Sequence, residues 1–183
     1  MPIFISILRG INVSGQKLIK METLKELYEN IGFQNVQTYI QSGNVVFRSE
    51  NSDPVSLEKM ISEQILKSTG FEVPVFVLDV ADLKEIINNN PFLTAPAKEI
   101  SHLHVTILSA VPDDVIAEKM NAKKSPGEDF SSIGRAIYLY CPNGYGRTNL
   151  HNNFIEKAGK VPATTRNWKT ILEIFNIAEK LES

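Results

Sequence analysis

The chain is 183 residues long, 43% hydrophobic and 22% charged, with a formal net charge of −2. That balance belongs to a globular protein and excludes a polycation drawn to nucleic acid by bulk charge. A single cysteine, Cys141, rules out an internal disulfide framework and fits a reducing, cytoplasmic setting, and no apolar stretch approaches the ~20 residues a membrane span needs.

The first residues lack the basic region and cleavage pattern of a signal peptide, and Ile3 to Arg9 reads as a strand. Met21 to Ile31 carries Leu24, Leu27, Tyr28 and Ile31 at helical spacing, with Gly32 as the stop. Val36 to Ile40 and Val45 to Arg48 are predicted strands joined by the hairpin-type turn Gln41-Ser42-Gly43-Asn44. Asp53-Pro54 reads as a cap followed by a first-position proline, opening a helix that ends before Gly70. Val73 to Leu78 is a strand, Asp79 caps a short helix, and Pro91 closes it.

The second half repeats the order. His102 to Leu108 is a strand, and Pro112-Asp113-Asp114 opens a helix reaching about Ala122. Phe130 to Ile133 and Ile137 to Cys141 pair around Gly134-Arg135. Thr148 or Asn149 caps a helix stopped by Gly159, Val161 to Thr165 is a short strand, and Asn167 caps the final helix. Each half is therefore β-α-β-β-α-β with one appended helix. The expected class is α+β, two ferredoxin-like subdomains at residues 1–90 and 101–183 joined by a linker at 91–100. That topology brings Arg9 to Lys20 together with Gln41 to Asn44, and Pro142 to Asn149 together with Thr165 to Trp168. Head-to-tail packing of the subdomains would line one cleft with all four motifs.

Charge is distributed unevenly. Residues 1–21 hold Arg9, Lys17 and Lys20 with no acid, and residues 142–169 hold Arg147, Lys157, Lys160, Arg166 and Lys169 against Glu156 alone. Both basic stretches contain a cluster of Arg and Asn at the end of a strand, where binding loops usually sit. An anionic ligand is the expectation, with a solvated basic surface as the alternative. Gly144 to Asn149 resembles a phosphate cradle at a helix N-terminus, or else a Gly-rich turn with an ordinary cap. In Thr164-Thr165-Arg166-Asn167-Trp168, Asn167 reads either as a cap or as a ligand contact and Trp168 either as an anchor or as a stacking ring; those structural roles explain Arg166 poorly, so it ranks first among ligand contacts. Alternatively Arg166 stacks on Trp168 or pairs with an acid.

The expected ligand-binding set is Arg9, Asn12, Lys20, Ser42, Asn44, Tyr145, Arg147, Asn149, Thr165, Arg166, Asn167 and Trp168. Arginines would hold phosphate, asparagines would read polar edges, and Tyr145 or Trp168 would stack. His102, His104 and His151 lack a carboxylate or cysteine at supporting spacing, so no metal site is predicted, and no cofactor is implied. Cys141 reads as a small buried hydrophobe, and no local nucleophile context is present.

The segments Leu8 to Val13, Thr38 to Phe47, His104 to Thr106 and Ala163 to Trp168 resemble the signature of the DUF1697 family, a bacterial family of unknown function. The resemblance runs along essentially the whole chain, with Ser14-Gly15 where the family often has Gly-Gly. It implies a cytoplasmic α+β fold of two related subdomains and brings no activity. The expected function is binding of a phosphate-bearing small molecule or single-stranded nucleic acid, without membrane association. The alternatives are a metal-independent enzyme on a small anionic substrate and an interaction scaffold.

Overall fold

A computed structural model describes residues 1–94, 96 and 98–183. Ala95 and Ala97 of the expected linker lie outside the described residues. The rest of that segment includes short 3₁₀ turns at Pro91–Leu93 and Ile100–His102. Contacts divide the chain into one unit of Met1–Glu85 with Glu173–Ser183 and a second of Ile86–Leu172.

In the first unit, β1 (Ile3–Leu8), β2 (Gln34–Tyr39), β3 (Asn44–Arg48) and β4 (Val75–Asp79) form an antiparallel sheet in the order β2-β3-β1-β4. The helices are α1 (Met21–Asn30), α2 (Pro54–Thr69) and α3 (Val80–Asn88), the last reaching into the second unit's residues. In the second unit, β5 (Leu103–Leu108), β6 (Asp129–Ile133), β7 (Ala136–Tyr140) and β8 (Ala163–Asn167) repeat the order as β6-β7-β5-β8. Its helices are α4 (Ile116–Lys123), α5 (Asn152–Gly159) and the start of α6 (Trp168–Glu182). Both sheets have the ferredoxin-like order, and the expected α+β duplication is what the chain forms.

The elements follow local chemistry. Asp53 accepts the Ser56 N–H at 3.1 Å to start α2, and Gly70 ends it at φ +77. Leu24, Leu27 and Tyr28 of α1 and Leu57, Ile61 and Ile65 of α2 cover one face of the first sheet. Within that core Phe33 stacks on Phe47 at 4.4 Å, and the Tyr28 and Ser6 hydroxyls meet at 2.7 Å. Ile116, Met120, Leu150, Ile155 and Ala158 cover the corresponding face of the second sheet. No helix among the described residues is long and apolar enough to cross a membrane.

The duplication extends to single hydrogen bonds. Leu8 N–H donates to Gly43 O, and Leu108 N–H donates to Arg135 O. A glutamate at the same place in the second helix of each unit, Glu58 or Glu156, accepts an N–H of the edge strand, though from donors two residues apart in register, Val77 and Ala163. Asp79 accepts from Asp82 N–H, and Asn167 accepts from Thr170 N–H. The registers agree: β1 faces β4 as Phe4↔Asp79 and Ser6↔Val77, and β5 faces β8 as His104↔Asn167 and Thr106↔Thr165.

Four expectations need correction. β8 runs from Ala163 to Asn167, later than 161–165, because β5 supplies partners as far as His104; Arg166 is therefore a strand residue opposite Val105. α4 begins at Ile116. Asp113 instead closes a turn, its side chain accepting from Val115 N–H and its carbonyl from Ile116 N–H. α5 begins at Asn152, capped by the His151 ring, because the Thr148 hydroxyl accepts Leu150 N–H and turns the chain once more. His102 ends a 3₁₀ turn, and β5 starts one residue later.

Candidate functional site

The first unit brings its two expected motifs together. Asn12, at φ +54, accepts the Ile19 N–H at 2.8 Å, and its amide nitrogen donates to Ile19 O and to Gln41 O. One side chain thus ties the loop at residues 9–20 to the hairpin turn. Gly43 carries the turn against β1, where a Cβ would stand 2.8 Å from Leu8 Cβ and 2.8 Å from Ile11 Cδ1. Asn44 is buried and donates to Tyr39 O and the Ser42 hydroxyl. Arg9 is half-buried, Lys20 is exposed, and Lys17 donates to the Glu72 carbonyl. The amides of Asn12 and Asn44 thus shape the loops.

The second unit also brings its two motifs together, around residues outside the expected ligand-binding set. His104 and Thr106 share a sheet face with Thr165, and Thr106 and Thr165 hydroxyls meet at 2.8 Å. Thr165 donates to Asn152 Oδ1 at 2.9 Å, so the Thr106 hydroxyl is the donor to Thr165. The Asn152 amide nitrogen donates to Ala163 O, and its backbone N–H donates to the Tyr145 hydroxyl. Tyr145 also bonds Thr165 and stacks on the His104 ring at 4.8 Å and 24°. Arg166, next along β8, alternates with Thr164 to the opposite face, donating to the Thr164 hydroxyl and the Thr165 carbonyl, both at 3.0 Å, and is within electrostatic reach of Tyr145.

Electrostatics follow from burial. Desolvation lowers the Arg166 guanidinium to about 10, partly offset by the Tyr145 hydroxyl. It raises Tyr145 above the usual phenol range, with the Thr165 and Asn152 hydrogen bonds acting the other way. It lowers His104, with a backbone hydrogen bond to His102 acting the other way. A histidine held neutral by the fold stabilises it fully above the unfolded-state value of ~6.5, and this contribution is lost as pH falls toward the lowered folded value. In urea titrations the wild type is expected to lose stability below pH ~6.5, by at most about 1.4 kcal/mol per pH unit for the one proton. His104→Phe, which installs the residue found at the matching position 4, should lack that part of the slope. Identical slopes for the two proteins would show that His104 does not report on folding.

Other expected residues are placed differently. Residues Gly144 to Asn149 do not precede a helix directly. They form a 3₁₀ turn at Tyr145–Arg147, with the N–H groups of Gly144, Arg147 and Thr148 directed to Cys141, Gly144 and Tyr145 carbonyls. Three of the amides a phosphate cradle would present are therefore occupied, and the turn positions Tyr145. Arg147 and Asn149 are exposed, and Asn149 donates to the Ser125 hydroxyl at 3.2 Å. Asn167 is exposed and caps α6. Trp168 is 1% exposed, with its ring edge-to-face with Tyr138, so it anchors α6 and offers no face for stacking. The histidines are not gathered: His102 lies 3.8 Å from Glu99, His104 stacks on Tyr145, and His151 caps α5. Burial raises the Cys141 thiol to about 11, as befits a packing residue.

The signal for the residues outside the expected set was present. Numbered 100 apart, Phe4 and Ser6 of β1 match His104 and Thr106 of β5, and β4 carries Val77 and Leu78 where β8 carries Thr165 and Arg166. The same scaffold is closed with mainly apolar side chains in one unit and with a polar network in the other.

Fold and site together define a duplicated ferredoxin-like α+β protein whose second unit carries a polar cluster on one sheet. The chain belongs to the DUF1697 family, described as a protein of unknown function, which it matches over residues 1–138. Among solved structures it is similar to a conserved bacterial protein of Streptococcus pneumoniae, with a TM-score of 0.74, 22% identity, and coverage of 97% of this chain and 98% of that one. At that identity the likeness concerns the fold. No curated protein matches the chain.

Proposed function

We propose that the chain binds a phosphate-bearing ligand, a nucleotide or single-stranded nucleic acid, through the second unit's cluster around Arg166, in the cytoplasm. The observation that carries this reading is the exchange of Phe4, Ser6, Val77 and Leu78 for His104, Thr106, Thr165 and Arg166 at matching register. The fold closes at those positions without a guanidinium or an imidazole, so their presence in the second unit calls for a reason other than folding. Arg166 and the exposed Arg147 supply charge for phosphate. Asn149 and Asn167 supply polar edges, and the His104–Tyr145 ring stack supplies a platform for a base. The basic stretch at residues 142–169 has the matching sign.

A second reading, a metal-independent enzyme on a small anionic substrate, is favoured by one observation. Burial moves His104 down and Tyr145 up in the same stack, leaving a neutral imidazole beside a protonated phenol.

Thermal shift of the wild type, Arg166→Ala and Arg166→Lys against nucleotides, sugar phosphates and short single strands tests the proposal. A ligand at a hundred times its Kd should stabilise the wild type by ~2.7 kcal/mol. Arg166→Ala should lose the shift, and Arg166→Lys should keep only part of it, because an ammonium replaces the charge but not the planar fork. A nucleic-acid ligand should release steeply with salt, and a mononucleotide less so. If no compound shifts the wild type while Arg166→Ala alone melts far lower, Arg166 is a structural residue and the scaffold reading takes first place.

A further inference from the structure

The first unit departs from the second at the end of the sheet where β1 and the β2–β3 turn meet. The second unit closes that end with residues 109–115 and the two-residue turn 134–135, whereas the first uses residues 9–20 and 40–43. Of the six non-glycine residues at positive φ among those described, Asn12, Ser14, Lys17 and Ile40 all lie in these two loops. Ile40 is the most unusual, because a β-branched side chain at φ +48 crowds its own backbone. The strain does not serve to bury Ile40, which is 47% exposed; Val13 and Leu18 on the joined loop are 57% and 65% exposed. Lys17, Lys20 and Arg9 lie in the same stretch, which holds no acid before Glu22, and Lys17 Nζ reaches across to the Glu72 carbonyl. The matching end of the second unit also exposes aliphatics, Val111, Val115 and Ile133, but among Asp113 and Asp114.

We propose that the loops at residues 9–20 and 40–43 form a docking surface for an acidic peptide segment of a partner protein, anchored by aliphatic contacts to Val13, Leu18 and Ile40. Lysines of the rim supply charge complementarity and steering, and the aliphatic side chains supply the apolar contacts that hold affinity. A nucleic-acid strand fits less well, since aliphatic side chains offer no stacking platform for bases. Strand addition to the edge strand β2 is also disfavoured, because its register shifts between Gln34 and Gln37 and Asn35 sits at φ +52. The Asn12 amide, bonded to both loops, fixes the surface before any partner arrives.

A displayed library of random twelve-residue peptides, selected on the full chain, tests this. Enriched peptides should combine Asp or Glu with Leu, Ile, Val or Phe. They should bind Leu18→Ser and Ile40→Gly about tenfold or more weakly, and weaken as salt rises. Ile40→Gly should melt no lower than the wild type, since glycine relieves the positive φ, so its loss of binding cannot be assigned to unfolding. Arg166→Ala should bind the peptides as the wild type does, which separates this surface from the phosphate site. Failure to enrich any sequence, enrichment without acidic residues, or equal affinity for the two variants would overturn the proposal. So would binding of an oligo-dT strand or anionic vesicles at these residues instead, or self-association that Leu18→Ser abolishes.

Discussion

Gly43→Ala is expected to destabilise the protein by about 2–4 kcal/mol, lowering the melting midpoint by roughly 5–12 °C for a chain of this size. Two costs combine. At φ +82 any L side chain is strained, by about 1–2 kcal/mol. The new Cβ would also stand 2.8 Å from Leu8 Cβ, an atom fixed by the backbone of β1, and 2.8 Å from Ile11 Cδ1. Leu8 cannot move alone, because its N–H donates to the Gly43 carbonyl at 2.8 Å. Gly70→Ala is the control: φ there is +77, but a Cβ would meet nothing within 4 Å. It should show the conformational cost alone. Equal losses at the two positions would mean that the hairpin turn retreats freely from β1 and that close packing there is unimportant.

Asn12→Ala should cost about 2–3 kcal/mol, a large effect for a half-buried loop residue. The substitution removes three hydrogen bonds, to Ile19 N–H, Ile19 O and Gln41 O, and leaves alanine at φ +54. Asn12→Asp is the sharper probe. It keeps an acceptor for Ile19 N–H but sets a carboxylate against two carbonyl oxygens, so it should rescue little. Urea midpoints measure both. An unchanged midpoint for Asn12→Ala would return this residue to the role of a surface group held for a ligand. The expected loss would show that an Arg-Gly-Ile-Asn motif can be explained by the loop it closes.

The two units show where sequence reading reaches and where it stops. Asp53, Gly70, Asp79 and Asn167 act over three or four residues, so their capping roles were legible from neighbours alone. The βαββαβ order was legible for the same reason, because periodicity and turn residues are local signals. Errors fell where a distant partner decides. β8 extends to Asn167 because β5 reaches back to His104, and α5 waits until Asn152 because Thr148 and His151 claim the intervening amides.

The candidate site divides in the same way. Arg166, Thr165 and Tyr145 were visible as functional residue types at strand ends and turns, whereas His104 entered only as a metal candidate set aside, Thr106 only within a family motif, and Asn152 not at all. Each takes its meaning from contacts to residues far along the chain: His104 with Tyr145, Thr106 with Thr165, and Asn152 with both Tyr145 and Thr165. Trp168 and Asn44 went the other way, from suggested ligand contacts to buried structural side chains. Sequence alone determined the class, the duplication and most helix boundaries, because backbone propensity, capping and apolar periodicity act over a few residues. Only the tertiary structure decided which polar groups are used up in holding loops and which gather on one sheet face, because strand pairing brings together residues that chain order keeps far apart.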